Sequence, residues 1–330
     1  MITRLNGTLW PTLEASVPAV ELACNGWGSP ASLMSVHTRE IPGIWLCNGM
    51  TGTCPAVAQR VFLSGAPVSV VMQDGRPVGT RYEDEFAEYI LLMGVYPSDK
   101  TASRTEQTTS AFENIESALK SAGFDFHNVV RTWLYMDRIL EWYDDFNRAR
   151  DAFFESRGIF GGFVPASTGI GTANIEGAAI VTGAIAMRPK IGHHGSASRA
   201  MVESPLQCPA LDYSSTFSRA AEIVTPMART IFVSGTASIE PEGATAYVGD
   251  IKRQIALTMD VISAILKTRD MTLRDTVRAI AYIKHPEDRP VWQAWLKEHG
   301  LPAEFAQEVI ADVCRDDLLF EVELDAVKKV

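Results

Sequence analysis

Residues 166–187 can be laid over residues 306–327 without a gap, and this internal repeat restricts the chain more than any other feature. Outside that stretch, Leu119-Lys120 answers Leu266-Lys267, Val130-Arg131 answers Val277-Arg278, and Tyr135 answers Tyr282. Matches that recur in the same order argue for one folding plan used twice. A chain of 330 residues is long for one core and comfortable for two. In the register of the repeat, Asn174 stands where Cys314 stands and Val181 where Glu321 stands. One copy therefore holds an acid where the other holds an apolar residue.

That acid lies in Val309–Val327, which reads as two strands joined by the polar turn Arg315-Asp316-Asp317. From Leu318 to Leu324 apolar and polar residues alternate, the period of a strand with one face covered. Phe320, Val322 and Leu324 then share one face, and Glu321 and Glu323 the other. Composition alone reads Glu321 as a surface carboxylate; its absence from the matching strand argues for a special role.

Residues 1–40 are broken by proline and glycine and read as an N-terminal arm. Ile44–Cys47, Val61–Ser64, Pro67–Gln73 and Tyr89–Met93 read as strands, with a hairpin turn at Asp74-Gly75. Helical spacing follows over Thr105–Ala122, a strand over Val129–Met136, a helix over Trp142–Glu155 and a closing strand over Ala178–Met187. The second half repeats this: strand Ile231–Ser234, helix Asp250–Thr268, strand Val277–Ile283, helix Val291–His299, then the C-terminal strands. The composition shifts to Pro, Gly, His and Ser over Arg188–Ser204, so the expected divisions are an arm 1–40, a first domain 41–190, a linker 191–204 and a second domain 205–330. Each half reads β-β-α-β-α-β, an α+β layer with both helices on one face of a mixed sheet. The bare sheet face needs a cover, so the halves should pack on one another or on another subunit, with a ligand in the crevice.

Apolar content of 46% and charged content of 21% fit a globular protein. No apolar run reaches the ~20 residues of a membrane span, and the N-terminus lacks a secretory pattern, so a cytoplasmic location is expected. A net charge of −10 argues against nucleic-acid binding. The five cysteines are scattered and odd in number, which speaks against disulfides and zinc. His193-His194 has no carboxylate or cysteine at ligand spacing and reads as linker. With no phosphate loop and no Ser/His/Asp order, no cofactor is required.

Phe217-Ser218-Arg219-Ala220 before the strand Ile231–Gly235, the strand 129–136 followed by Asp137, and the closing Phe320–Leu324 resemble the RidA/YjgF superfamily of small trimeric proteins. That superfamily's imine deaminases carry an arginine after a Pro-Ala pair. Here those places read Pro165-Ala166-Ser167-Thr168 and Pro302-Ala303-Glu304-Phe305, so the resemblance does not extend to enamine deamination. Over nearly the whole chain, Trp133–Tyr135, Ile139–Arg148, Pro165–Ile170, Ser234–Ser238 and Cys314–Glu321 resemble the chorismatase family, which fuses two RidA-like halves. The resemblance implies cleavage of the enolpyruvyl ether of chorismate with release of pyruvate, no cofactor, and, from the superfamily, a homotrimer. Some members hydrolyse chorismate to a cyclohexadiene diol. Others, with a cysteine seven residues before the glutamate as here, make hydroxybenzoates. Ala237 together with Cys314 is most similar to the bifunctional xanthomonad type, which makes 3- and 4-hydroxybenzoate for pigment and quinone precursors.

The implied chemistry needs an acid still protonated near neutral pH, and Glu321 is the candidate. Cys314 is the candidate for steering the ring, with a small buried apolar role as the alternative. Two substrate carboxylates call for arginine. Arg219 ranks first, Arg148 and Arg150 next, and Arg131 lower, because its repeat mate Arg278 points to a structural role. Tyr213 and Tyr135 are candidate hydrogen-bonding partners, Ala237 a pocket residue, and Trp133, Trp142 and Phe217 packing groups. A non-catalytic small-acid binder is the alternative reading.

Overall fold

A computed structural model describes residues 69–174, 176–192, 196–208 and 216–330, together with the backbone of two short strands, β1 (Ile44–Cys47) and β2 (Pro55–Ala58). The first half continues with β3 (Ser69–Gln73), β4 (Arg76–Glu83), β5 (Ala87–Val95), α1 (Arg104–Ser121), β6 (Val129–Met136), α2 (Tyr143–Ser156), β7 (Ala166–Gly171), β8 (Ala173–Asn174) and β9 (Ile180–Pro189). The second half consists of β10 (Ser198–Val202), β11 (Ala220–Val224), β12 (Ala228–Ala237), α3 (Ile251–Lys267), β13 (Thr276–Ile283), α4 (Arg289–Glu298), β14 (Gln307–Ile310) and β15 (Phe320–Lys329). The sheets run β3-β4-β5-β9-β6-β7 and β10-β11-β12-β15-β13-β14, the same order position for position. Each is antiparallel except at one parallel pair, β6–β7 and β13–β14. The repeat is thus repeated as topology, and the protein is α+β with tandem domains.

Local chemistry sets the elements. Asp74 and Gly75 both adopt positive φ, 49° and 73°, as the β3–β4 hairpin turn requires. Ser103 and Glu106 close a capping box at the start of α1. Asp250 accepts from Arg253 N at the start of α3. Helices α1 and α2 cover the outer face of the first sheet through Phe112, Ile115, Phe146 and Phe153. Helices α3 and α4 cover the second through Ile255, Met259, Ile262 and Trp292. Each such side chain contributes about 1.5–3 kcal/mol by leaving water. The inner faces meet one another: Leu91, Met93, Tyr135 and Val181 pack against Ala221, Phe232, Ile280 and Tyr282. Backbone bonds stitch the halves along β7. Gly171 N donates to Asp312 O at 2.8 Å and Asp312 N to Gly171 O at 3.1 Å, while Ser218 N donates to Pro165 O at 3.0 Å.

Three expectations are corrected. The C-terminal strands are not a hairpin: β14 lies parallel to β13, and β13 separates it from β15. The connection, residues 311–319, is a loop that carries Cys314. The expected linker 191–204 contains strand β10, an edge strand paired with β11. Each of the two large sheets has six strands, more than the sequence pattern counts, because short edge strands carry too few alternations to register, and β2-β1-β8 form a third, three-stranded sheet. The arm 1–40, the strand expected at 61–64 and His193-His194 lie outside the described residues.

Candidate active site

Strand β15 is central in its sheet and covered on both faces. Its outward residues Phe320, Val322 and Leu324 join the helix-side core. Its inward residues Glu321, Glu323 and Asp325 enter the seam between the sheets, where they are 5%, 0% and 3% exposed. A buried carboxylate needs donors or a proton.

Glu323 has donors. Arg131 Nη2 lies 2.7 Å from Oε2, Trp133 Nε1 donates at 3.0 Å to Oε1, and Arg278 Nη2 binds Oε1. The Thr168 hydroxyl is also bound to it. Both guanidinium groups lie over the Trp133 ring, 5.2 and 5.4 Å from its centre. Burial alone would raise the Glu323 carboxyl; Arg278 and Arg131 hold it below the usual range instead.

Glu321 has a proton. No described residue donates a hydrogen bond to its carboxyl. Burial, then the charge of Glu323, pushes its pKa up to about 8, against the pull of Arg131. Room for the carboxyl comes from Gly235. Here β12 breaks register between Val233 and Thr236, and a Cβ on Gly235 would overlap Glu321 Oε1 and come 2.9 Å from Cδ and 3.1 Å from Thr168 Cγ2. Gly235→Ala is therefore expected to lower stability by about 1–3 kcal/mol, read as a lower urea midpoint. An unchanged midpoint would show that the carboxyl swings aside freely.

Cys314 sits beside Glu321, packed against the first-half core and against Ala237, Ile239, Val313 and Leu318. Burial, then the Glu321 charge, pushes its thiol up to about 12, so it is a thiol at neutral pH. The Tyr143 hydroxyl is hydrogen-bonded to it. Arg150, 2% exposed, lies near Tyr143, Asp151 and Cys314. Its Nη2 donates to Asn147 Oδ1 at 2.8 Å, while its Nε has no acceptor among the described residues. Arg131 is wholly buried, and its Nε and Nη1 likewise have none. A neutral acid and Arg131 in the seam thus lie next to a neutral thiol and to Arg150 under α2, both cations having donors not fully spent on the protein.

The structure brings Glu321, Cys314, Arg150, Ala237 and Tyr135 together. Ala237 is the register partner of Glu321 across β12–β15, and Tyr282 its partner across β13–β15. The Tyr135 hydroxyl lies 3.3 Å from that of Tyr282. Arg148 does not join them: it projects from the outer face of α2 to solvent and pairs with Asp145. Only positions in phase with Tyr143, Phe146 and Arg150 turn inward on that helix. Arg219 is buried beside the bulge, but its Nε and Nη2 both donate to Cys208 O, at 3.1 and 3.0 Å. Tyr213 lies outside the described residues.

Sequence reasoning did not single out Glu323, Thr168, Gly235 and Tyr143, and it set Arg131 low. The repeat held part of the signal: Arg131 and Arg278, equivalent in the two halves, grip one glutamate. At the Pro165-Ala166 segment, where an arginine would serve deamination, Ser167 N donates to Ser234 Oγ at 2.9 Å. Next to it, Thr168 Oγ1 accepts from Gly235 N at 2.9 Å and from Arg131. Among the described residues there is no cluster of three metal-ligating side chains, and no helix is long and apolar enough to cross a membrane.

Comparison with known proteins adds to this geometry. Residues 71–183 match the family described as chorismatase FkbO/Hyg5-like, N-terminal, and residues 210–328 match endoribonuclease L-PSP. A 3-hydroxybenzoate synthase of Streptomyces hygroscopicus is 29% identical over 282 residues, 76% of this chain and 77% of its own. A chorismatase of the same organism is 26% identical over 259 residues, 70% of each chain. A RutC family protein of Pyrococcus abyssi is 34% identical over 103 residues, 30% of this chain and 79% of its own. A chorismatase crystal structure superposes with a TM-score of 0.65 at 20% identity, covering 86% of this chain and 85% of that one, and so shares the fold.

Proposed function

Because this chain belongs to the chorismatase family of the FkbO/Hyg5-like type, with a RidA/YjgF-like second half, we propose that it cleaves chorismate to pyruvate and hydroxybenzoate, the 3- and 4-isomers being the expected products. The observation that carries this reading is the Glu321 carboxyl: buried, unpartnered among the described residues, and protonated near neutral pH. A vinyl ether is stable to base and opens when its terminal methylene carbon takes a proton. Glu321 supplies that proton, and the enolpyruvyl carbon becomes an oxocarbenium ion stabilised by the new carboxylate beside it. Breaking the bond from C3 of the ring to the ether oxygen frees pyruvate and leaves a ring cation that still carries the C4 hydroxyl. Loss of the C4 proton gives the 4-isomer; closure of the C4 oxygen onto C3, reopening at C4 and loss of the C3 proton give the 3-isomer.

Hydroxybenzoate and pyruvate together contain the atoms of chorismate, so this outcome consumes no water overall; the diol outcome adds one. Cys314, a thiol on the same side of the seam as Glu321, is placed to shape the ring's exit and so the position of the hydroxyl. Arg150 and Arg131 are the cations with donors to offer the two substrate carboxylates. Arg219 would join them if its hold on Cys208 O were exchanged for substrate.

The test is purified protein with chorismate and nothing else, followed by chromatography of the aromatic products and an assay for pyruvate. Equal amounts of hydroxybenzoate and pyruvate are expected, and Cys314→Ala is expected to change the isomer or diol fraction. Binding without pyruvate release would leave a small-acid binder, and a diol alone would move the chain to the hydrolytic type.

A further inference from the structure

Two carboxyls stand side by side on the inner face of β15, and the structure treats them oppositely. Glu323 takes Arg131, Arg278, Trp133 and Thr168; Glu321 takes none of them. In the repeat, both arginines have a counterpart in the other half, but the carboxyls do not: Val181 answers Glu321 and Gly183 answers Glu323. Two equivalent arginines therefore converge on one glutamate of one half, and the neighbouring glutamate is left without a guanidinium. We infer that Glu323 is a positioning residue that keeps Glu321 an acid, by acting as the counter-ion that commits Arg131 and Arg278 and by facing Glu321 with a fixed negative charge.

This inference rests on the proposed acid role of Glu321. The charged and titratable groups around Glu321 are Glu323 and Asp325 on its own strand, Arg131 and Tyr135 from β6, and Arg278 and Tyr282 from β13. Cys314 faces it from the loop before the strand; Arg315 from the same loop and Tyr143 and Arg150 from α2 act on Cys314 in turn. Near Glu323 the two guanidinium charges are matched by Glu323 and by Asp325, whose Oδ1 lies 4.0 Å from Arg278 Nη1. Neutralising Glu323 leaves one guanidinium charge unmatched beside Glu321. A carboxyl next to a free guanidinium ionises and ceases to be a proton donor at neutral pH. Removing Arg131 as well restores the balance.

The test uses the full chain in two readouts. In the first, the pH dependence of kcat on chorismate is measured for wild type, Glu323→Gln and Glu323→Gln/Arg131→Gln. The falling limb, near pH 8 in wild type, is expected to move down by about one unit or more in the single variant. This lowers kcat about twofold at pH 7 and about tenfold at pH 9, with recovery in acid and KM changed by less than about threefold. The double variant is expected to return the limb toward its wild-type position. A merely structural role would lower kcat at every pH without moving the limb, and that result overturns the inference.

The second readout needs no turnover. The infrared band of a protonated carboxyl, identified as Glu321 by its loss in Glu321→Gln, is titrated in the substrate-free protein. It should persist to about pH 8 in wild type and vanish at lower pH in Glu323→Gln. If Glu323→Gln does not fold, the wild-type titration still decides, since a band lost in the ordinary carboxylate range ends the inference. If the band behaves as expected but chorismate is untouched, the substrate reading fails and the charge relation stands.

Discussion

Glu321→Gln is expected to release pyruvate from chorismate about two to four powers of ten more slowly than wild type, the range of a general-acid contribution. The variant keeps shape and hydrogen-bonding capacity but has no proton to give. It also reports on stability. The folded-state pKa of Glu321, about 8, lies above the ordinary glutamate value of 4.5. Across that window the folded chain holds a proton that the unfolded chain has released. The stability this group contributes is therefore complete below the unfolded pKa and is lost as pH rises through about 8. The loss is on the order of a few kcal/mol. Glu321→Gln removes the titration, so its melting temperature should match wild type near pH 5 and exceed it near pH 9. Slow turnover with a melting temperature depressed at both pH values would instead indicate a damaged fold.

Arg131→Met is expected to lower stability by about 3–5 kcal/mol, because it strips one partner from a fully buried ion pair. Glu323 would keep Arg278, Trp133 and Thr168, which places the loss toward the lower end. The urea midpoint measures it. Pairing Arg131→Met with Glu323→Leu should cost less than the two single changes added together, since an apolar pair needs no counter-ion. Equal additivity would show that the two side chains do not act as a unit.

The features legible in the sequence were those written by periodicity and by the repeat. Helices α1 to α4 follow the 3.6-residue spacing, and the shared strand order follows from the duplicated segments. Glu321 was legible because its copy, Val181, lacks the acid. Glu323 was not, because alternation marks a polar strand face without saying whether water or a second sheet lies against it. Arg148 and Arg150 differ by two positions, about half a helical turn. Only the phase set by Tyr143 and Phe146 decides which of them turns inward. Gly235 gave no signal beyond being a glycine in a strand; its meaning lies in the carboxyl that occupies the place of its missing Cβ.

The stitching of β7 to the second half fixes a division of labour. Glu321, the proposed proton donor, comes from one copy, and Tyr143, Arg150 and Thr168 come from the other. An oligomer of a single repeated unit must carry the same side chain in every copy, so every crevice would hold an acid or none would. Covalent fusion removes that constraint. Each copy is free to specialise, and on the proposed reading one supplies the donor and the other the wall of a single site.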